Sequence, residues 1–407
     1  MRADAIGADV GRAELAKSDA DTGGTRAAPT TLSITPASGA LVAGAQSQTV
    51  SDDDIAGFAA ASCAEPSGSA WLVGGSSALG RTTVLTLANP TPVDAVVALT
   101  ILGEKGPVTA PGLAGIVVAA GTQRVIPLAG FAPDIASPVV HVVARGGRVV
   151  ASLQQSTVRG LDPGGVELIG GGADPADHLV VPGLRVFDAA SLSKALGLAD
   201  WDDASPVVRL AVPGDKAAKV QVSLVPEASS GKGTSFDVDV PAGQSVDTAL
   251  DAGVETDSGE LTIPDGQYSV VVDSDQPVVA AVRLSTSVDP GANGSAPASD
   301  FAWYAAAPAL QGATMVTVAT GPDPRIGFVN PGAAAVTVTL QAVGGSDATL
   351  AVPPHGTASM PVGAGSSYTV SGADGLSAAV TYAGDAALSS YPIASPRPVS
   401  APIVIHP

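Results

Sequence analysis

Three times along this chain, an alternating run of small and β-branched residues stops at a proline. A closely similar distance further on, a valine-led turn ends in glycine. The pairs are Pro90 and Gly121, Pro213 and Gly243, and Pro331 and Gly356. The runs before the prolines end in Asn89, Val212 and Asn330, and each proline is followed by a second alternating run (95–101, 218–224 and 335–340). The turns begin at Val118, Val240 and Val352. Each unit closes on two further β runs, the first joined across Arg145 to Arg148 in the manner of a hairpin. Recurrence at near-constant spacing in otherwise divergent sequence predicts one supersecondary unit in triplicate. Short Val, Leu, Ile and Thr runs bounded by Gly, Pro and Asn read as strands.

Polarity within the runs sets the class. Val220, Val222 and Leu224, like Val336, Val338 and Leu340, put one face in a core and turn Gln, Ser and Thr outward. Period-2 alternation means half-exposed antiparallel strands rather than a buried parallel sheet. The expected fold is all-β: three tandem antiparallel β-sandwich units of immunoglobulin- or fibronectin-like type. They occupy residues 67–165, 176–290 and 299–390, after a mostly disordered tether (1–66) and before a Pro-rich tail (391–407). A short helical insertion is expected at 188–203, where Leu192 and Leu196 stand four apart. Within the tether, 3–20 reads as a transient helix, Thr31 to Ile34 as a short strand, and Asp52 to Asp54 as the acidic start of one or two helical turns through Ala61. With hydrophobic residues at 45% but aromatics at only 3%, the core must rest on small and β-branched side chains.

Charge and cysteine count remove several classes of function. A net charge of −19 repels phosphate backbones and anionic headgroups, which argues against nucleic-acid binding. The single cysteine, Cys63, allows neither an intrachain disulfide nor a cysteine zinc site. No stretch reaches the ~18 apolar residues of a membrane span, and the first residues lack the pattern of a signal peptide.

No motif carries a reaction. The segment Gly75 to Thr82 has the spacing of a phosphate-cradling loop, yet Arg81 stands where lysine is needed and a strand follows in place of a helix. It reads as a turn. The acidic clusters at 52–54, 200–203, Asp237/Asp239 and Asp273/Asp275 lack the ligand spacing of a calcium loop. No nucleophile elbow occurs, and His141, His178, His355 and His406 are scattered. No metal, cofactor or catalytic residue is expected. Trp71 and Trp303, and likewise Tyr268 and Tyr368, take equivalent places and read as core. Trp201 lies in the insertion, outside the recurring pattern. With Asp200, Asp202 and Asp203 it forms the candidate contact for a partner, the alternative being a Trp201 packed beneath the second unit.

The residues Trp71, Gly74 and Gly75, then Gly80 to Thr82, Leu85 to Pro90, Pro111 to Leu113, Gly121 to Val125, Arg145 to Arg148 and Gln154 to Thr157 carry a resemblance. Over about residues 60–165, and more loosely to about 390, the chain resembles an actinobacterial family of unknown function. Its members are large extracytoplasmic proteins, usually membrane-anchored and encoded near cell-wall glycosyltransferases. The chain departs from that pattern in lacking the anchor and a second cysteine. The resemblance implies a cell-envelope location, with an anchor upstream of Met1 and the tether between them. The expected role is a non-catalytic scaffold or adaptor for a protein partner or a neutral wall glycan. The alternative is a hydrolase or transferase acting on envelope polysaccharide, which would need clustered carboxylates or a histidine-based site.

Overall fold

A computed structural model describes residues 32–34, 41–228, 233–250, 263–289, 297–396 and 403–405. The transient helix expected at 3–20 lies outside them. The chain is all-β with one α-helix among the described residues, and every strand pairing within its sheets is antiparallel. Strand β1 (Leu32–Ile34) is followed by β2 (Ala45–Ser51) and β3 (Ala56–Ser62), which pair as a hairpin. The next nine strands are β4 (Ser69–Val73), β5 (Arg81–Asn89), β6 (Ala95–Gly103), β7 (Gly106–Pro107), β8 (Ile116–Val118), β9 (Thr122–Pro127), β10 (Val139–Gly146), β11 (Val150–Arg159) and β12 (Asp162–Ile169). Then come β13 (Ala176–Val186), helix α1 (Ala189–Leu196), β14 (Val207–Ala211), β15 (Ala218–Pro226), β16 (Thr234–Val240), β17 (Ser245–Ala249), β18 (Gly266–Ser287) and β19 (Ser299–Ala305). The last set is β20 (Thr314–Thr317), β21 (Arg325–Asn330), β22 (Val336–Ala342), β23 (Ala348–Val352), β24 (Gly356–Pro361), β25 (Ser367–Ser371), β26 (Ser377–Gly384) and β27 (Ala387–Ile393). Strand β28 (Ile403–Ile405) pairs with β1.

One strand order recurs three times. In the first group one sheet runs β4–β10–β6, with β7 and β8 both on β6, and another runs β12–β11–β5–β9. In the third, the sheets run β20–β25–β22–β23 and β27–β26–β21–β24. The second follows the same order, with β13 and β15 on the first half of β18 and β14 and β19 on its second half. Each group has its own buried cluster. Leu85, Ile101 and Leu153 represent the first, Val222, Val270 and Val282 the second, and Phe328, Leu340 and Val380 the third. Burying one such side chain contributes about 1.5–3 kcal/mol.

The Asn-Pro signal has the same structural job wherever it occurs. Asn89 donates through Nδ2 to the carbonyls of Val93 and Val118, at 2.8 and 2.9 Å, and accepts from the Thr91 amide. Asn330 repeats this with Ala334, Val352 and the Gly332 amide. One amide side chain thus ties the end of one strand to the valine that opens the later turn.

Several expectations are corrected. The two runs that close each unit do not form a hairpin. Strands β10 and β11 lie in different sheets, and in the second group the same two runs are one continuous bent strand, β18. Periodicity shows that a run is a strand but not which layer it joins. Because β18 belongs to both layers, the second group is a single seven-stranded sheet, and contact between β16 and β17 brings it near to a closed barrel. Trp303 does not open the third unit. It sits on β19, which pairs with β18 and completes the second group.

The segment 56–61 is a strand, not a helical turn, and 41–66 is not a free tether. Tertiary packing overrides local propensity there. Strand β3 touches β12 and β27, β19 touches β12 and β27, and the four strands close a ring that takes one member from each group and one from the N-terminal hairpin. The small residues of β3 (Gly57, Ala59, Ala60) suit that crowded position. A Cβ at Gly57 would come within 2.7 Å of the Asp300 carboxylate.

Candidate functional site

The insertion forms as expected, with a different outcome for its tryptophan. Asp188, in the left-handed region at φ 52°, caps α1 by accepting from the Ser191 amide. Leu192 and Ala195 on α1 and Ala204 cover Trp201, which is 4% exposed. The Arg159 guanidinium lies 4.4 Å from its ring centroid. Trp201 is therefore not the exposed contact the sequence suggested. Its indole adds enough apolar area to draw the short insertion down onto the body.

Asp203 is likewise internal in its bonding. It takes a two-pronged contact from Arg159, with Nε to Oδ1 at 2.9 Å and Nη2 to Oδ2 at 3.1 Å, and an ion pair from Arg81 at 2.7 Å. Burial raises the Asp203 carboxyl, but the charges and hydrogen bonds of Arg159 and Arg81 outweigh it and hold it below the usual carboxylate range. Only Asp200 and Asp202 of the four candidates stand on the surface. The insertion is a clasp between the first two groups. Arg81→Ala is expected to cost about 1 kcal/mol in urea denaturation, because Arg159 still holds Asp203. A loss as large as that of a buried ion pair would show that Arg81 is the main anchor.

The loop with phosphate-loop spacing is a second docking element. It carries the chain from one sheet (β4) to the other (β5), so it is not a hairpin turn either. Its polar groups are satisfied internally. The Ser76 amide donates to Thr83 Oγ1, the Ser77 hydroxyl to the Ala132 carbonyl, and the Gly75 carbonyl accepts from Arg209.

Arg209 is 1% exposed. It donates to both oxygens of Asp247 at 2.7 and 2.8 Å and to the carbonyls of Gly75, Pro138 and Ala136 at 2.8, 3.1 and 3.1 Å. Its guanidinium also sits 4.4 Å from the ring centroid of Trp303, whose Nε1 donates to Gln155 Oε1 at 2.8 Å. Trp303 packs into the first group's cluster although its strand belongs to the second. Hence it fills the first group's core from a strand of the second.

Buried carboxyls hold the four-strand ring. Asp300 on β19 accepts from the amides of Phe58 on β3 (2.9 Å), Val166 on β12 (3.1 Å) and Leu388 on β27 (3.1 Å). Glu167 on β12 accepts at Oε1 from the Ser389 hydroxyl of β27 and the Leu168 amide, both at 2.8 Å, while its buried Oε2 has no hydrogen-bond partner. Both groups are fully buried, and burial raises both carboxyls well above the usual range. Hydrogen bonds oppose that rise, and the neighbouring Asp300 charge adds to it for Glu167. A carboxyl raised in the folded state contributes stability that is complete below its unfolded pKa of about 4.3 and is lost as pH rises through the folded value. The thermal midpoint is therefore expected to fall as pH rises from about 5 to 8, and Glu167→Gln to flatten that slope. Parallel profiles for wild type and variant would place the proton uptake elsewhere.

A cleft of about 620 Å³ lies between the second and third groups. Arg185, Phe187, Asp188, Glu227, Asp265 and Gln267 line it from one side, and Arg325 and Asp385 from the other. Its walls are cross-tied. Glu227 accepts from the Ser359 amide and hydroxyl at 3.1 and 2.7 Å and Arg185 pairs with Asp323 across it, while Arg325 donates to Ser359 within the third group. Asp265 accepts from the Ala189 amide, the first residue of α1. None of these residues was singled out in the sequence, because the two walls are far apart along the chain.

The described histidines do not converge. His141 stacks on Trp71 at 4.0 Å, His178 pairs with Asp273, and His355 occupies a turn at φ 48°; His406 lies outside the described residues. Burial pushes the Cys63 thiol up to about 11, so it is largely protonated at neutral pH. Among the described residues, no helix is long and apolar enough to cross a membrane.

No curated protein matches the chain. Among solved structures, the crystal structure of Thermotoga maritima 1070 aligns over 33% of this chain and 95% of its own, at 19% identity and a TM-score of 0.24. A structure from a 1.5-MDa bacterial ice-binding adhesin, concerned with host cell surface retention, aligns over 77% of this chain and 90% of its own, at 13% identity and a TM-score of 0.12. The BSP domain of a biofilm associated protein covers 94% of this chain and 68% of its own, at 10% identity and a TM-score of 0.13. Scores this low bear on neither fold nor function. The model of one family matches residues 17–372, and the chain belongs to that family, the family of unknown function DUF5719.

Proposed function

We propose that this chain is a non-catalytic scaffold or adaptor of the cell envelope, built of three immunoglobulin- or fibronectin-like β-sandwich repeats. The observation that carries the reading is the ring of β3, β12, β19 and β27, whose buried hydrogen bonds tie all three groups together. Rigid spacing with repeated outer surfaces is what a scaffold needs. The recurring strand order supports the repeat, and so do two tyrosines at matching register. Tyr268 bonds the Pro264 carbonyl four residues upstream, and Tyr368 accepts from the Gly363 amide five residues upstream. Such corners mark Greek-key sandwiches. The extracytoplasmic, anchored location and the actinobacterial origin rest on the family resemblance alone.

With a charge of −19, the preferred partner is a neutral glycan or a basic patch on a protein. The test is retention from a solubilised envelope extract on the immobilised chain. One protein or glycan is expected to be held at physiological salt, and an eluate matching that of a bare support would overturn the reading. A polysaccharide hydrolase is the second reading, because four carboxylates line the cleft between the second and third groups. Three of them are tied into the fold, Asp188 by α1, Glu227 by Ser359 and Asp265 by Ala189, which favours binding over proton transfer. Release of reducing ends from a neutral polysaccharide would decide for the enzyme.

A further inference from the structure

We propose that the strip of β18 from Arg283 to Ser287, bordered by the clasp, holds a small monovalent anion of chloride size. The assignment goes beyond the adaptor reading and does not depend on it. It starts from side chains left without partners. Among the described residues, Arg283 Nε and the hydroxyls of Ser285 and Ser287 are buried and make no hydrogen bond. Ser285 is 6% exposed and Ser287 1%. Alternate residues of a strand share one face at intervals of about 6.8 Å, so the three form one line. Beside them on β19 stand Trp303, Phe301 and Ser299. On the other flank β14 ends at Val207, opposite Arg283, and the clasp borders β18 from there. Arg283 as a whole is only half-buried, which leaves an approach from solvent.

Charge selects the sign of the ligand. The guanidinium groups of Arg81, Arg159, Arg209 and Arg283 gather at this junction around two carboxylates, Asp203 and Asp247. Asp203 is held by Arg159 and Arg81, and Asp247 by Arg209, so Arg283 has no carboxylate of its own. Burial lowers the Arg283 guanidinium to about 10, the charges of Asp203 and Asp247 oppose that, and those of Arg209 and Arg159 add to it. A positive surplus inside a chain of net charge −19 is a local feature, and buried charge is costly unless countered. The far end of the strip is cationic too. Arg159 donates to Ser299 Oγ at 3.1 Å, and Ser299 lies opposite Ser287. An anion beside Ser285 therefore stands between two guanidinium groups and accepts from Arg283 Nε and a serine hydroxyl. The donor set selects the size. Carboxylates and phosphates are gripped by two parallel N–H groups, as Asp203 and Asp247 are by Nε and Nη2 of Arg159 and Arg209. In Arg283 that edge is divided, because Nη2 donates to the Ser205 carbonyl at 3.2 Å. A spherical ion needs only single donors.

The test uses the full chain in sodium gluconate, with chloride exchanged in at constant ionic strength so that screening of the net charge stays fixed. Chlorine NMR linewidth reads binding, and urea denaturation reads the linked stability. The wild type is expected to broaden the chloride line, and bromide to compete the broadening away. Its folded-to-unfolded ratio is expected to rise about tenfold once chloride exceeds its Kd about tenfold. Ser285→Ala removes a hydroxyl that has no partner in the fold, so in gluconate it is expected to be at least as stable as the wild type. In chloride it is expected to lose most of both responses, and Arg283→Gln to lose them altogether. A wild-type line no broader than that of buffer would leave the strip to ordered water and overturn the assignment. So would a Ser285→Ala that responds to chloride as the wild type does, or acetate or sulfate competing better than bromide.

Discussion

Asp300→Ala is expected to be among the most damaging single substitutions in this chain. The change strips the acceptor from the amides of Phe58, Val166 and Leu388, which belong to three different strands. Each buried amide left without a partner costs about 1–3 kcal/mol. A total above about 3 kcal/mol is a large share of the 5–15 kcal/mol that holds a typical protein folded. Urea denaturation followed by tryptophan fluorescence measures it, and Trp303, on the same strand as Asp300, reports on that region. Asp300→Asn serves as the graded control. Its amide keeps one accepting oxygen but points N–H groups at at least one amide donor, so an intermediate loss is expected. If Asp300→Ala unfolds within about 1 kcal/mol of the wild type, the ring is not what locks the groups together.

Arg209→Met is expected to be comparably costly, for the opposite electrostatic reason. All five guanidinium donors of Arg209 are engaged, two with Asp247 and three with carbonyls of the first group. Methionine leaves the carbonyls of Gly75, Pro138 and Ala136 without their donor, at about 1–3 kcal/mol for each that stays buried, and takes the main counter-charge from Asp247, which is partly open to water and loses less. Lysine keeps the charge but offers three donors from a single point, so it cannot serve both the carboxylate and the three carbonyls.

A change of sign with pH makes the prediction diagnostic. Burial would raise the Asp247 carboxyl, yet the charge and hydrogen bonds of Arg209, with Arg283 beyond, hold it below the usual range. In the wild type this contribution is present above the unfolded pKa of about 3.9 and fades as pH falls through the depressed folded value. In Arg209→Met burial gains ground, so the Asp247 contribution is expected to shrink or to fade instead as pH rises. Removing both partners, as in Arg209→Met with Asp247→Leu, is expected to be milder than Arg209→Met alone. A double variant worse than the single one would sink the ion-pair account.

Much of the architecture was legible because its signals are local. The alternation of Val220, Val222 and Leu224 shows in the buried inner face of β15, and the helical spacing of Leu192 and Leu196 in α1. The Asn-Pro stops proved more informative than a turn signal, since Asn89 and Asn330 make matching bonds. What stayed hidden depends on partners distant in sequence. Nothing within residues 56–61 says that three other strands await them, so Ala-rich sequence after three aspartates reads as a helix start. Nor does periodicity reveal that β10 and β11 part company into two sheets.

The buried charges did leave a trace. Arg209 and Arg283 each interrupt an otherwise apolar run, and Asp300 and Glu167 sit beside Phe301 and Val166. A charge inside a strand that is otherwise core is a sequence-level sign of an internal partner. The acidic, aromatic insertion drew attention instead, and it turned out to be a clasp. The cleft had no such sign, because its lining residues are ordinary surface charges until β13, β18 and β21 bring them together.

The closed ring also bears on how such a chain can evolve. In a linear array each module meets only its neighbours, so a duplication or deletion changes length and little else. Here β19 touches both β12 and β27, and the N-terminal strand β3 takes the fourth place between them. An extra module inserted by recombination would find no vacancy, and a lost one would uncover carboxyls that are fully buried in the intact molecule. Module number is therefore set by the geometry of the centre, and variation is channelled to the outer loops, the clasp and the rim of the cleft.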